Sequence, residues 1–136
     1  MPTYDAELFS PPAPVANVTL RNPDKGSLVY DVPMLIDSGA DVSLIPHSAA
    51  DQMSLTPTEG DVYELAGFDG QTCFARAVQL DLTILGRTFR GMYLILEREY
   101  GILGRDVLNR LSLLLNGPEL TWSGEDPRRN ESVSSR

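Results

Sequence analysis

Residues 34–41 read Met-Leu-Ile-Asp-Ser-Gly-Ala-Asp, an apolar run that stops on an acid, a hydroxyl and a glycine. A run of this kind is a strand that delivers one carboxylate, that of Asp37, to a tight backbone turn. Gly39 lets that turn come close to a substrate or to a second copy of the chain. One carboxylate alone is a poor acid–base catalyst. Two of them side by side cannot both ionise, so they share a proton and serve as base and acid together. The 136 residues hold no second Asp-Ser-Gly or Asp-Thr-Gly. If Asp37 works in such a pair, its companion belongs to another subunit.

The bulk properties narrow the alternatives. A chain of 136 residues suits one domain and is too short for two lobes that each carry an aspartate. The net charge of -8 argues against nucleic acid or an anionic membrane as the main partner. A lone cysteine, Cys73, excludes an intramolecular disulfide and fits a reducing compartment. With one histidine, His47, beside it, a Cys/His zinc cluster is not available. The first residues lack a basic region followed by an apolar stretch, and no apolar run approaches the roughly 20 residues that span a bilayer. The expectation is a soluble, cytoplasmic, single-domain protein.

Strand signals dominate. Residues 1–14 hold four prolines and no helical period, which predicts a flexible, extended arm. Residues 15–21 and 28–36 flank the turn Asn22-Pro23-Asp24-Lys25-Gly26 and form a hairpin that feeds Asp37. Residues 42–46 make a short strand closed by Pro46, and 47–53 carry a weak helical signal. Residues 61–66 and 71–77 are the arms of a hairpin tipped by Gly67-Phe68-Asp69-Gly70. Residues 78–84 alternate with period two and turn at Gly86-Arg87 into 88–96. Gly101 and Gly104 bracket the apolar pair Ile102-Leu103, and residues 105–110 follow as a short helix burying Val107, Leu108 and Leu111. A last hairpin spans 111–122 around Asn116-Gly117-Pro118. The polar residues 124–136 read as a disordered tail. This predicts an all-β, barrel-like domain over residues 15–123 with one short C-terminal helix.

Three separated elements carry the chemistry: residues 35–41 with Asp37-Ser38-Gly39-Ala40-Asp41, the glycine-tipped hairpin at 67–70, and Ile102-Leu103-Gly104-Arg105-Asp106. Taken singly, they are a β-turn, an ordinary hairpin loop and a strand-to-helix junction. In this order and spacing the chain resembles the retropepsin-like aspartic proteases, the dimeric single-domain family that includes retroviral proteases, and the likeness covers roughly residues 15 to 122.

The resemblance implies a homodimeric aspartic endopeptidase that needs neither a metal nor an organic cofactor. It cuts peptide bonds between largely apolar residues in a groove at the dimer interface. Asp37 from each subunit would hold the attacking water. The Ser38 hydroxyl would bond across the dimer axis, and Gly39 would give its carbonyl access to the substrate. Ala40 and Asp41 would contact substrate main chain. Gly67, Phe68, Asp69 and Gly70 would form a flap over it, with Asp69 departing from the apolar, glycine-rich viral pattern. Ile102, Leu103, Gly104 and Arg105 would support the active loop, Arg105 gripping Asp41 with two parallel bonds. The rival readings are a non-catalytic peptide-binding barrel and a dimerisation domain of a larger protein. Cys73 reads as a half-buried apolar residue and His47 as a surface residue near a helix start.

Overall fold

The computed structural model describes residues 2–55, 62–66 and 72–125, with the backbone alone at 62–66 and 72–74. Strand β1 (Tyr4–Asp5) is followed by β2 (Ala13–Arg21) and β3 (Leu28–Ile36), which pair antiparallel around the Asn22 turn. The turn is tied down from within. Buried Asn22 accepts hydrogen bonds from the Asp24 and Lys25 amides and donates to the Met53 carbonyl. Strand β4 (Leu44–Pro46) runs into helix α1 (His47–Gln52), and β5 (Val62–Ala66) pairs with β6 (Thr72–Ile84). Strand β7 (Arg87–Leu96) leads to β8 (Gly101–Leu103), helix α2 (Arg105–Leu108) and the hairpin of β9 (Ser112–Asn116) with β10 (Thr121–Glu125).

The main sheet has the order β1-β2-β3-β8-β4-β7-β6-β5, and an added pairing of β2 with β6 joins its ends into a ring of six strands. The fold is therefore all-β and barrel-like. From Ala16 onward the inward residues of β2 follow period two: Ala16, Val18 and Leu20 are buried, while Asn17 is exposed and Thr19 and Arg21 are half-buried. Met34, Ile45, Leu80, Leu82 and Leu103 fill the same core and are fully buried. Each contributes roughly 1.5–3 kcal/mol relative to an exposed side chain. Along the seam, Asp81 of β6 lies opposite Arg21 of β2 and Arg90 of β7, and both guanidinium groups bond its carboxylate. Hydrogen bonding from Arg90 is the largest influence holding the Asp81 carboxyl below the usual carboxylate range, against the opposing effect of burial.

Three expectations need correction. Residues 72–84 form one continuous strand, because the alternation at 78–84 extends the returning arm of the β5–β6 hairpin without a break. Two short helices stand among the described residues instead of one, since α1 forms over His47–Gln52 despite its weak signal. The proline-rich arm is extended but not free. Tyr4 and Asp5 pair with β2, the Tyr4 amide donates to the Leu120 carbonyl, and the Trp122 amide donates to the Pro2 carbonyl. Trp122 is buried, and its indole N–H donates to the Val15 carbonyl, so β10 and the arm dock together on β2.

Candidate active site

The position of Asp37 follows from an unusual strand arrangement. Strand β8 lies between β3 and β4, running parallel to β3 with Leu35 opposite Ile102 and Ile36 opposite Leu103. The turn that leaves β3 must therefore cross the end of β8 to reach β4. Two glycines permit that crossing. A Cβ at Gly101 would stand 2.5 Å from the Leu44 carbonyl oxygen, and one at Gly104 would stand 2.5 Å from that of Val42. The bracketing of Ile102-Leu103 by glycines is thus a packing requirement, not turn chemistry.

Asp37 is the first residue beyond β3, and its amide donates to the Leu103 carbonyl at 3.0 Å. Its Oδ1 accepts the Gly39 amide at 2.9 Å, and its carbonyl accepts the Ala40 amide at 3.2 Å. The carboxylate is thereby locked over its own turn while the residue stays partly open to solvent. Ser38 and Gly39 are exposed beside it, and Ala40 is half-buried.

Arg105 braces this turn from the start of α2. Its amide donates to the Ala40 carbonyl at 2.9 Å and its Nη1 to the Ser38 carbonyl at 2.7 Å, while Nη2 pairs with the Asp41 carboxylate. The expected Arg105–Asp41 contact is present, although one nitrogen meets Asp41 and the other meets backbone. Both side chains are well exposed, so the ion pair itself contributes little and the carbonyl contacts do the positioning.

A second brace was not anticipated. Ser43, fully buried, donates its hydroxyl to Asp106 Oδ1 at 2.6 Å and accepts the Gly104 amide at 2.9 Å. Its own amide donates to Asp106 Oδ2 at 3.0 Å, and the Val107 amide adds a third donor to that carboxylate. In the sequence Asp106 resembles any acid in the first turn of a helix, and nothing in its vicinity names residue 43 as its target. The available signal was Ser43 itself, a small polar residue set between Val42 and Leu44-Ile45 in an otherwise apolar strand.

The two braces have a chemical consequence. Asp41 meets Arg105 and Asp106 is bonded to Ser43, so each neighbouring acid has a contact of its own other than Asp37. Among the described residues no group of His, Cys, Asp or Glu side chains could hold a metal ion. The flap residues Gly67, Phe68, Asp69 and Gly70 lie outside the described residues, while the arms that lead to them pair from Val62 with Arg76 to Ala66 with Thr72. Cys73 lies in β6 opposite Leu65. His47 opens α1, half-exposed, with Nδ1 3.1 Å from Asp51 Oδ2. No helix among the described residues is long and apolar enough to cross a membrane.

The family model described as aspartyl protease matches residues 17–107, more than half of the chain. Among solved structures, an EIAV protease complexed with the inhibitor HBY-793 superposes with a TM-score of 0.58 at 20% identity. The match covers 79% of this chain and 92% of that one. No curated protein matches the sequence.

Proposed function

The chain belongs to the aspartyl protease family, and on that footing we propose that it is an aspartic endopeptidase active as a homodimer, with one Asp37 from each subunit in a shared site. The observation that carries this reading is the state of Asp37: a carboxylate held over its own turn, braced by Arg105, with both neighbouring acids already bonded elsewhere. A site so prepared lacks only its second carboxylate.

In the paired site one carboxylate is ionised and the other protonated. The ionised one takes a proton from the bound water as its oxygen attacks the scissile carbonyl carbon, and the protonated one donates to the carbonyl oxygen. The resulting tetrahedral diol collapses as a proton passes to the leaving nitrogen, and the C–N bond breaks with no covalent enzyme intermediate. Ser38 bonds across the two-fold axis, Gly39 presents its carbonyl to the substrate, and Ala40 and Asp41 meet substrate main chain. Gly67, Phe68, Asp69 and Gly70 cover the groove, and Ile102, Leu103, Gly104 and Arg105 hold the turn in place. The preference for apolar side chains is supported by exposed Val42 and half-buried Ile102 close to the turn.

The test is a cleavage-site profile on an unbiased peptide library, with Asp37→Asn as control. A neutral amide cannot act as the base, so the variant should keep the fold and lose several orders of magnitude in rate, on the order of 10⁴. A folded Asp37→Asn protein that still cleaves would contradict the reading.

A further inference from the structure

Asparagine is a thermolabile residue because its side chain can react with its own backbone. The nitrogen of the following residue attacks the amide carbon Cγ, closes a five-membered imide and expels ammonia. The following N–H must exist and be unengaged, its side chain must be small, and both residues must be open to solvent. The described residues include Asn17, Asn22, Asn109 and Asn116, and they differ sharply in these respects. Asn22 is buried, its side-chain amide is committed to Met53, Asp24 and Lys25, and Pro23 has no N–H to offer. Asn17 precedes Val18, a β-branched residue fully buried in β2. Asn109 precedes Arg110, whose amide donates to the Val107 carbonyl at 3.0 Å.

Asn116 is different. It precedes Gly117, and both are exposed at the tip of the β9–β10 hairpin. No hydrogen bond among the described residues uses the Gly117 amide. A Cβ on Gly117 would meet nothing within 4 Å, so an imide ring has room to form. The turn also prepares the amide carbon. Asn116 Oδ1 accepts the Glu119 amide at 3.2 Å, which folds the side chain forward over its own turn. As a nitrogen attacks Cγ, negative charge develops on Oδ1, and the Glu119 N–H already points at it.

We propose that Asn116 is a modification site, converted without an enzyme into aspartyl and isoaspartyl forms through an imide with Gly117. The Gly117 nitrogen gives its proton to solvent base and bonds to Cγ. The bond from Cγ to the side-chain nitrogen breaks, and that nitrogen takes a solvent proton and leaves as ammonia. Water then adds to one of the two imide carbonyls. Opening at Cγ restores the ordinary backbone with a carboxylate side chain. Opening at the backbone carbonyl leaves Gly117 joined through Cγ, so the main chain is longer by one methylene. No redox partner is needed.

The consequence falls on the amino-terminal arm. Asn116 lies opposite Thr121, Thr121 lies opposite Thr3, and the Tyr4 amide donates to the Leu120 carbonyl. An added methylene shifts this register. Either product also sets a new negative charge beside Glu119 in a chain of net charge -8. The isoaspartyl form therefore loosens the arm from β10. None of this depends on how Asp37 works.

The test ages the full chain in warm, mildly alkaline buffer and follows its peptides by mass. The peptide containing Asn116 should gain the mass difference between a hydroxyl and an amine, and part of it should be isoaspartyl by enzymatic methyl transfer. Peptides containing Asn17 and Asn109 should stay unchanged over the same period. Gly117→Ala places its methyl in open space but stiffens and crowds the attacking backbone, so it should slow the gain several-fold. Asn116→Gln, which would need a larger ring, should abolish it. Amide exchange at Tyr4 and Trp122 should quicken in the aged wild type and not in Asn116→Gln.

A gain at Asn116 no faster than at Asn17 or Asn109, or one that Gly117→Ala leaves unslowed, would overturn the proposal. So would a product with no isoaspartyl share, because direct hydrolysis of the side chain gives aspartate alone. Unchanged exchange at Tyr4 and Trp122 in isoaspartyl chains would overturn the loosening of the arm.

Discussion

Ser43 carries more of the site than its size suggests. Its hydroxyl bridges the Gly104 amide and the Asp106 carboxylate, and none of its described hydrogen bonds goes to Asp37. Ser43→Ala leaves both groups short of a partner, a loss of about 1–3 kcal/mol in stability. Threonine keeps the hydroxyl, so Ser43→Thr should restore most of the melting temperature where alanine lowers it. Asp81 makes a separate prediction about pH. Its folded carboxyl is held below its unfolded value of about 3.9, so its stabilisation is complete above that value and lost as the pH falls through the folded one. Both arginine partners are well exposed, which limits the effect to on the order of 1 kcal/mol. Thermal unfolding followed into acid should show the wild type losing stability more steeply than Asp81→Asn; parallel curves would mean the seam charges contribute nothing.

Among the elements, the strand β8 and helix α2 determine where the Asp37 turn can lie. Gly104→Ala forces a Cβ against the Val42 and Ala40 carbonyls, and backbone atoms cannot yield as a flexible side chain can. The variant should lose about 1–3 kcal/mol and shift the turn, lowering kcat more than it raises KM. A Gly104→Ala protein of native stability and rate would show that the crossing has slack.

Much of this scale was legible in the sequence. Strand β3 runs from Leu28 to Ile36 as its apolar run and flanking turn imply, and the glycine bracket marks β8. What the residues did not disclose is long-range. Period-two alternation shows that β3 and β8 are strands but not that they run parallel, nor that β2 meets β6 to close the ring. The Ser43–Asp106 link spans 63 residues and leaves no local pattern. Residues 2–5 were obscured differently, because the prolines of the 1–14 arm mask a strand whose partners, Ala13, Pro14 and Thr121, are themselves atypical.

For the whole molecule, the account requires two chains for one site. Activity should fall on both sides of a mildly acidic optimum, because the pair works only with one carboxylate charged and one protonated. A rate that keeps rising into alkaline solution would point to a different nucleophile. The most direct test is subunit poisoning. Wild-type chain at fixed concentration is co-refolded with increasing amounts of Asp37→Asn chain, at total concentrations where dimers already saturate. With a tenfold excess of variant, only about one wild-type chain in eleven finds a wild-type partner, by the statistics of a two-fold dimer. The account predicts that the rate per wild-type chain falls by about that factor. A rate unchanged by the variant would mean that each chain holds a complete site, and would contradict it.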